Sequence, residues 1–319
     1  MRLVVAILAL ALIGTNVTFW LLRDPPLSSV IKNKETAIVA ITSEKLVNGK
    51  SEQALGTGFF IDENTIVTNN HVIEDSTKLE IMHNGNRTKY AAQVKWTDKS
   101  ADIAIIQITD WKKFKEENPD FTYLKFNTEY SQGDNVIVLG NPSGLMFSAS
   151  LGIVSQERQK LSTNPQFYVG SDAHLYPGNS GGPMLNKWGE VLAVSDLMLP
   201  TDGGSYGFGI PAAIVMKVIE DFKKYNEVRW ATLGVTLDGN KVTDIATGSA
   251  SEKAGLKVGD TINFIIIDNF KKKVNDASDI TNELAQQDYQ VPVRLIVNDK
   301  EAVLSPTYRT SKDFVTTGK

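Results

Sequence analysis

Apolar positions along most of the chain come in short runs broken by Gly, Asn, Asp or Pro, the punctuation of β-structure rather than of long helices. Residues 37–41, 56–61, 65–68, 78–82, 103–106, 135–139, 151–155 and 191–194 each read as a strand, and Asp62-Glu63-Asn64 turns the second into the third. The period changes at Ile214, Val215, Val218, Ile219 and Phe222. That spacing predicts an amphipathic helix over 211–222 with Pro211 near its first turn, packed on the strands before it. After the polar stretch 223–227 a smaller unit begins, with a helix expected over 277–287 and a strand over 291–297. At the other end, residues 3–22 are apolar apart from Gly14, Thr15, Asn16 and Thr18. As a helix this segment is about 30 Å long, enough to cross a bilayer. A cleavable signal peptide is the alternative, but its only Ala-x-Ala site, Ala9-Leu10-Ala11, would leave an apolar remnant ending Phe19-Trp20-Leu21-Leu22, so an uncleaved anchor is expected.

Composition changes this picture little. A chain of 319 residues with a formal net charge of −4 suits about two domains and gives no reason to expect nucleic acid as a partner. The absence of cysteine excludes disulfides, thiolate metal sites and a lipid-modified N-terminal cysteine, while leaving the compartment open. The three histidines, His71, His83 and His174, have no ligand spacing, so no metal site is expected. Arg2 precedes the apolar segment and Arg23, Lys32 and Lys34 follow it, so charge does not decide its orientation.

Candidate chemistry centres on Pro177-Gly178-Asn179-Ser180-Gly181-Gly182-Pro183. Small neighbours let the backbone bend sharply and let a substrate carbonyl approach main-chain N–H groups, as an acyl-transfer nucleophile requires. A plain surface turn uses the same residues. All three histidines precede Ser180, which rules out the Ser, Asp/Glu, His order of an α/β-hydrolase and leaves the order His, Asp, Ser. His71 follows the strand 65–68, and Asp102 opens the apolar run Ile103-Ala104-Ile105-Ile106, where it could orient an imidazole or merely start a strand. His83 reads as a hairpin-turn residue.

Taken together, Gly56-Thr57-Gly58-Phe59, Thr68-Asn69-Asn70-His71-Val72, Ala101-Asp102-Ile103-Ala104, Leu139-Gly140-Asn141-Pro142, Gly152-Ile153-Val154-Ser155, the Ser180 loop and Gly207-Phe208-Gly209-Ile210-Pro211 resemble the trypsin-like serine proteases of the HtrA/Deg family. The resemblance spans about residues 35 to 225. It implies a mainly β fold: a chymotrypsin-like double β-barrel, followed by a small α+β PDZ domain, behind an N-terminal transmembrane helix. It implies a triad of His71, Asp102 and Ser180, an oxyanion hole from the N–H groups of Gly178 and Ser180, and no cofactor. His174, six residues before the serine, falls at the base of the substrate pocket next to Leu175, or else points elsewhere. Arg158, in the run 157–164, takes the place of an arginine that relays a regulatory state, the alternative being a solvated surface charge. Ser143 departs from relatives, which carry an aromatic residue there. The runs Trp230-Ala231-Thr232-Leu233-Gly234-Val235 and 254–262 resemble a PDZ domain, with Thr232, Leu233 and Gly234 as the cradle for a peptide carboxylate. A β-unit that only packs or spaces is the alternative.

The expected boundaries are an anchor at 1–22, a linker at 23–34, the protease domain at 35–227, the PDZ domain at 228–308 and a frayed tail at 309–319. The stretch 42–55 reads as a short polar loop, and 195–206 as a long loop beside the cleft. A short first loop and a single PDZ-like unit match the membrane-anchored, regulatory branch of the family. That branch implies a homotrimer, to which Val30 and Ile31 could contribute, on the bacterial inner membrane with the catalytic part in the periplasm. It also implies activation by C-terminal peptides of misfolded outer-membrane proteins, and an anti-sigma-factor-like membrane protein as substrate. A broad periplasmic quality-control protease, and a peptide-binding scaffold or chaperone with a rarely aligned triad, are the other two readings.

Overall fold

The computed structural model of the chain describes residues 24–310 apart from 85, 143–144, 160, 162–166, 202–203 and 269. The expected anchor, the tail from 311 and the departure at Ser143 lie outside the described residues. Among the described residues no helix is long and apolar enough to cross a membrane. In chain order the first elements are α1 (Leu27–Lys34), β1 (Ile38–Val47), β2 (Lys50–Asp62), β3 (Thr65–Thr68), α2 (Asn70–Ile73), β4 (Lys78–His83), β5 (Lys89–Asp98), β6 (Ile103–Ile108) and α3 (Trp111–Glu117). These six strands close into an antiparallel barrel of order β1-β2-β3-β6-β5-β4. A second barrel follows, from β7 (Asn135–Gly140), β8 (Ser148–Gln159), β9 (Tyr168–Ser171), β10 (Pro183–Leu185), β11 (Val191–Thr201) and β12 (Gly204–Pro211), in the order β10-β11-β12-β9-β8-β7. Closure removes the open strand edges, and the β-branched runs read from the sequence supply the filling. Phe59, Phe60, Ile66, Ile103 and Ile106 are fully buried, each worth about 1.5–3 kcal/mol of transfer free energy.

Two expected loops are hairpins instead. β1 and β2 continue past the barrel and turn at Asn48 and Gly49, whose φ values of 51° and 76° fit the two-residue turn that Asn-Gly favours. β11 and β12 likewise pair out to Thr201 and Gly204. His83 opens the expected hairpin turn, its carbonyl accepting the Asn86 N–H at 3.2 Å, but its ring is buried. It ends β4 at 3% exposure, with Nε2 2.7 Å from the Thr36 carbonyl and Nδ1 3.0 Å from Asn118 Oδ1. Burial lowers its pKa against the raising effect of both hydrogen bonds, and the ring is part of the core. The expected linker is also partly helical: Val30 of α1 is buried in the core shared by the two barrels, with Leu27 and Ile31 packed against it. Val30 is therefore used within the chain, while Leu27 and Ile31 stay partly exposed.

The predicted helix is α4 (Ala212–Tyr225), with Ile214, Val215, Val218 and Ile219 buried and Asn226 ending it in the left-handed conformation at φ 58°. The C-terminal unit comprises β13 (Trp230–Thr232), β14 (Val235–Asp238), β15 (Lys241–Ile245), α5 (Ala250–Lys253), β16 (Ile262–Ile267), β17 (Phe270–Lys273), α6 (Ala277–Leu284), β18 (Val293–Val297), β19 (Lys300–Leu304) and β20 (Thr307–Arg309). Its sheet has the order β17-β16-β18-β19, β13 pairs with β20, and among the described residues β14 pairs only with β15. Leu233, Val242, Ile262, Ile265, Leu284 and Leu295 make a separate core.

Candidate active site

The site lies where the barrels meet, and Thr57 of β2 ties them together. Its main-chain N–H donates to the Ser180 carbonyl at 2.9 Å and its hydroxyl donates to the Gly178 carbonyl at 2.6 Å. The same hydroxyl accepts from the Asn141 N–H at 3.1 Å and from Asn141 Nδ2 at 3.0 Å, so one buried side chain of the first barrel holds two loops of the second.

His71 is carried by α2, the single turn that follows β3, and Asp102 by the turn between β5 and β6. Asp102 Oδ2 lies 2.6 Å from His71 Nδ1, and Oδ1 accepts the His71 main-chain N–H at 2.8 Å. This grip fixes the ring and directs its Nε2 lone pair away from the carboxylate. Asp102 has φ 52°, a left-handed conformation uncommon for a non-glycine residue. Its carbonyl accepts from the Asn70 N–H at 3.1 Å and from Asn69 Nδ2 at 2.9 Å, bonds that hold the turn in that shape. Burial pulls the His71 pKa down, but the hydrogen bond to Asp102 and its charge outweigh that, and the net shift is upward.

Ser180 follows Gly178 (φ 105°) and precedes Gly181 (φ 84°), both in conformations that disfavour side chains. A Cβ on Gly178 would also run into the Asn141 carbonyl, and one on Gly181 into the Thr57 carbonyl. The Ser180 hydroxyl donates to the Asp196 carbonyl at 3.4 Å rather than to His71. Catalytic hydrogen bonds of this kind commonly tighten only with substrate bound. A cavity of about 260 Å³ opens beside Ser180, lined by Leu175, Tyr176, Asp196, Leu197 and Met198 among others.

Asp196, on β11, was not legible as a functional residue. Its side chain is 3% exposed, with Oδ1 3.9 Å from His71 Nδ1. Burial first, then the charge of Asp102 and a hydrogen bond shared with it, push the Asp196 pKa up to about 8, against opposing effects of His71 and Tyr168. Ligand atoms of His71, Asp102 and Asp196 all lie within 4.8 Å of one another, a spacing that would suit a cation. The hydrogen bonds just described already engage these groups with one another, so the cluster reads as a proton network.

The remaining sequence-derived residues are dispersed. Leu175 is buried and lines the cavity beside Ser180. His174 does not lie at the base of that cavity. It is exposed, its carbonyl accepts from Ser150 Oγ at 3.0 Å, and its ring borders a different cavity with Val138, Pro142, Leu145 and Tyr176. In the irregular segment after β9, Ala173 and Leu175 are buried while His174 between them is exposed. Arg158, near the end of β8, stacks over Phe167 at 4.2 Å, pairs with Glu283 at 2.9 Å and donates to the Asn282 carbonyl at 3.3 Å, both on α6. Thr232, Leu233 and Gly234 line one end of a 360 Å³ groove between β14 and α6.

Residues 56–194 match the family described as trypsin-like peptidase domain. A probable periplasmic serine endoprotease, DegP-like, of Chlamydia pneumoniae is 35% identical over 235 residues, covering 66% of this chain and 46% of the relative. The periplasmic serine endoprotease DegP of Escherichia coli K12 is 32% identical over 244 residues, covering 67% and 50%. The chain thus spans about half the length of the curated relatives it matches. Among solved structures, the HtrA-type protease AlgW with a tripeptide has a TM-score of 0.71 at 21% identity, over 89% of this chain and 98% of that one, a likeness of fold. A serine endoprotease from Yersinia pestis has a TM-score of 0.63 at 25% identity, over 90% and 98%. On these grounds the chain belongs to the HtrA family of trypsin-like serine proteases.

Proposed function

We propose that the chain is a periplasmic serine endopeptidase, held to the inner membrane by residues 1–22, with residues 35–227 as its protease domain and 228–308 as a PDZ domain. The observation that carries the reading is the His71–Asp102 pair at 2.6 Å, facing a cleft whose wall bears Ser180 on a glycine-bounded loop. Ser180 attacks the scissile carbonyl after its hydroxyl turns from the Asp196 carbonyl to His71 Nε2. His71 takes the proton and returns it to the leaving amine, while Asp102 stabilises the imidazolium. The N–H groups of Gly178 and Ser180 receive the oxyanion, each donor worth about 3–4 kcal/mol of barrier. Leu175, Leu197 and Met198 favour an apolar side chain in the adjoining pocket.

Regulation by peptide is part of the proposal. β14 has one strand neighbour, so its other edge, facing α6 across the groove, suits an added peptide strand, with the main chain at 232–234 receiving its carboxylate. Arg158 grips the same helix at Glu283 and Asn282, so a peptide that shifts α6 is felt in the second barrel. The AlgW structures hold short peptides, which supports the reading. The natural activators would be exposed C-termini of misfolded outer-membrane proteins, and the substrate an anti-sigma-factor-like membrane protein. A homotrimer would have to be built on residues other than Val30.

The test is cleavage of an unfolded protein by the full chain, with and without hydrophobic C-terminal peptides. Low basal activity, a large rise with peptide, and a loss of at least ~10⁴-fold in Ser180→Ala are expected. High activity indifferent to peptide would leave a broad quality-control protease. Peptide binding with no Ser180-dependent cleavage would leave a scaffold.

A further inference from the structure

Asp196 is an acidic residue where a negative charge finds little support. It lies one residue beyond Ser195 on β11, buried against the first barrel. The groups facing it are Asp102 from the turn between β5 and β6, His71 from α2, and Tyr168 from β9. Lys45 of β1 acts on His71 from farther off. Two carboxyl groups that share a hydrogen bond cannot both be ionised without strong repulsion, so the stable arrangement holds one proton between them. Asp102 is already committed as an acceptor, through Oδ2 to His71 Nδ1 and through Oδ1 to the His71 main-chain N–H. The proton therefore belongs to Asp196, which donates.

We propose that Asp196 is a positioning residue of the triad, a carboxylic acid whose O–H holds Asp102 against His71 while its main-chain carbonyl holds the Ser180 hydroxyl. One residue thus lies beside all three members: Asp102, with a carboxyl oxygen within 4.8 Å of its own, His71, with Nδ1 3.9 Å from its Oδ1, and Ser180, whose hydroxyl donates to its carbonyl at 3.4 Å. Loss of the Asp196 proton removes the donor and puts a second negative charge beside Asp102. Attraction becomes repulsion, the bond from Asp102 to Nδ1 weakens, and the imidazole tautomer that accepts from serine is no longer enforced. With a pKa near 8, this loss falls just above neutral pH and gives the protease an alkaline limb separate from the acid limb set by His71.

The inference rests on the protease reading, and its test includes a measurement that needs no turnover. In the full chain, kcat and KM are followed from pH 6 to 10 on a peptide with an apolar residue before the scissile bond. Wild-type kcat is expected to fall above about pH 8. Asp196→Asn, whose amide donates without titrating, is expected to lose that fall. Asp196→Ala lacks the donor at every pH and is expected to lower kcat by about 10²-fold at pH 7 with KM changed far less, and Asn is expected to recover at least part of the loss. An alkaline limb unchanged in Asp196→Asn, or equal losses in Asn and Ala, would overturn the proposal. Independently, the low-field proton resonance of His71 Nδ1–H should shift with a midpoint near pH 8 in wild type and not in Asp196→Asn. A resonance invariant from pH 7 to 9 sinks the assignment even in an active protease. A titrating resonance in a chain that cleaves nothing sustains it and sinks the protease reading instead.

Discussion

At the scale of single residues, the site is a balance of burial against charge, and its pH behaviour follows from the signs. His71 works as a base only when neutral, and its pKa is raised above the ordinary 6.5 because Asp102 outweighs burial. The acid limb of kcat/KM should therefore have its midpoint above pH 6.5, and Asp102→Asn should both lower that midpoint and reduce kcat by about 10⁴-fold through loss of the working tautomer. A pH–rate profile of the two proteins checks this. Asp196 bears on stability as well. Its folded pKa, about 8, exceeds its ordinary value of 3.8, so between these limits the native state binds the proton more tightly than the unfolded chain. Stability then falls as pH rises through that window and levels off above it. Asp196→Asn escapes this loss. It should melt above wild type at pH 9, with the gap shrinking toward pH 4, as calorimetry at several pH values would show. The His71–Asp102 pair and the Ser180 loop beside it could be picked out of the sequence because their residue types are rare and their order is restrictive: three histidines, all before one serine set among glycines. Asp196 was not, because an aspartate after an apolar strand looks like any loop residue until the barrel folds it against Asp102.

At the scale of elements, strand positions were readable and their continuations were not. The apolar alternation that marks 37–41 fades at Thr42, yet β1 runs on to Val47 because pairing with β2, turned by Asn48 and Gly49, replaces burial as its support. The Asn-Gly pair was the available signal, and polar flanks hid it. His174 illustrates the opposite failure: counting back from Ser180 gives its place along the chain but not which way an irregular segment turns its side chain. The strap between barrels is likewise visible only in three dimensions. Thr57 joins Ser180, Gly178 and Asn141 across more than eighty residues of sequence. Thr57→Val keeps the shape but strands the Asn141 N–H and the Gly178 carbonyl, at a cost of about 1–3 kcal/mol. Since these groups hold the loop that carries Ser180, kcat should fall while KM changes less. Urea unfolding and steady-state kinetics measured on the same variant separate the two effects. Gly178→Ala should be harsher in kcat, because its φ of 105° and the Asn141 carbonyl both oppose a Cβ.

At the scale of the whole molecule, the C-terminal unit is riveted to the barrels rather than loosely tethered. Trp230, which opens that unit as the first residue of β13, is 1% exposed and belongs to the core of the barrels, not to the core of its own unit. Its Nε1 donates to Ser100 Oγ at 2.8 Å, and Ser100 in turn donates to Asp98 Oδ1 at 2.6 Å. Asp98 also accepts the Ala101 N–H at 2.7 Å, so the indole braces the turn that carries Asp102. Beside it, the buried Lys217–Asp221 pair of α4 clamps the chain just before Trp230, Lys217 donating to the Arg229 carbonyl and Asp221 accepting the Arg229 N–H, each at 2.9 Å. Truncation to Ala would empty this joint at a cost of about 3–5 kcal/mol, and the unit would then melt apart from the barrels, turning one calorimetric transition into two. Trp230→Phe is the sharper experiment. It keeps most of the apolar contact and removes the hydrogen bond to Ser100, which is worth about 1 kcal/mol in stability. If the indole only packs, kcat should be untouched. If it holds the Asp102 turn, kcat should fall and its acid limb should move toward the ordinary histidine value, because a loosened Asp102 no longer raises His71.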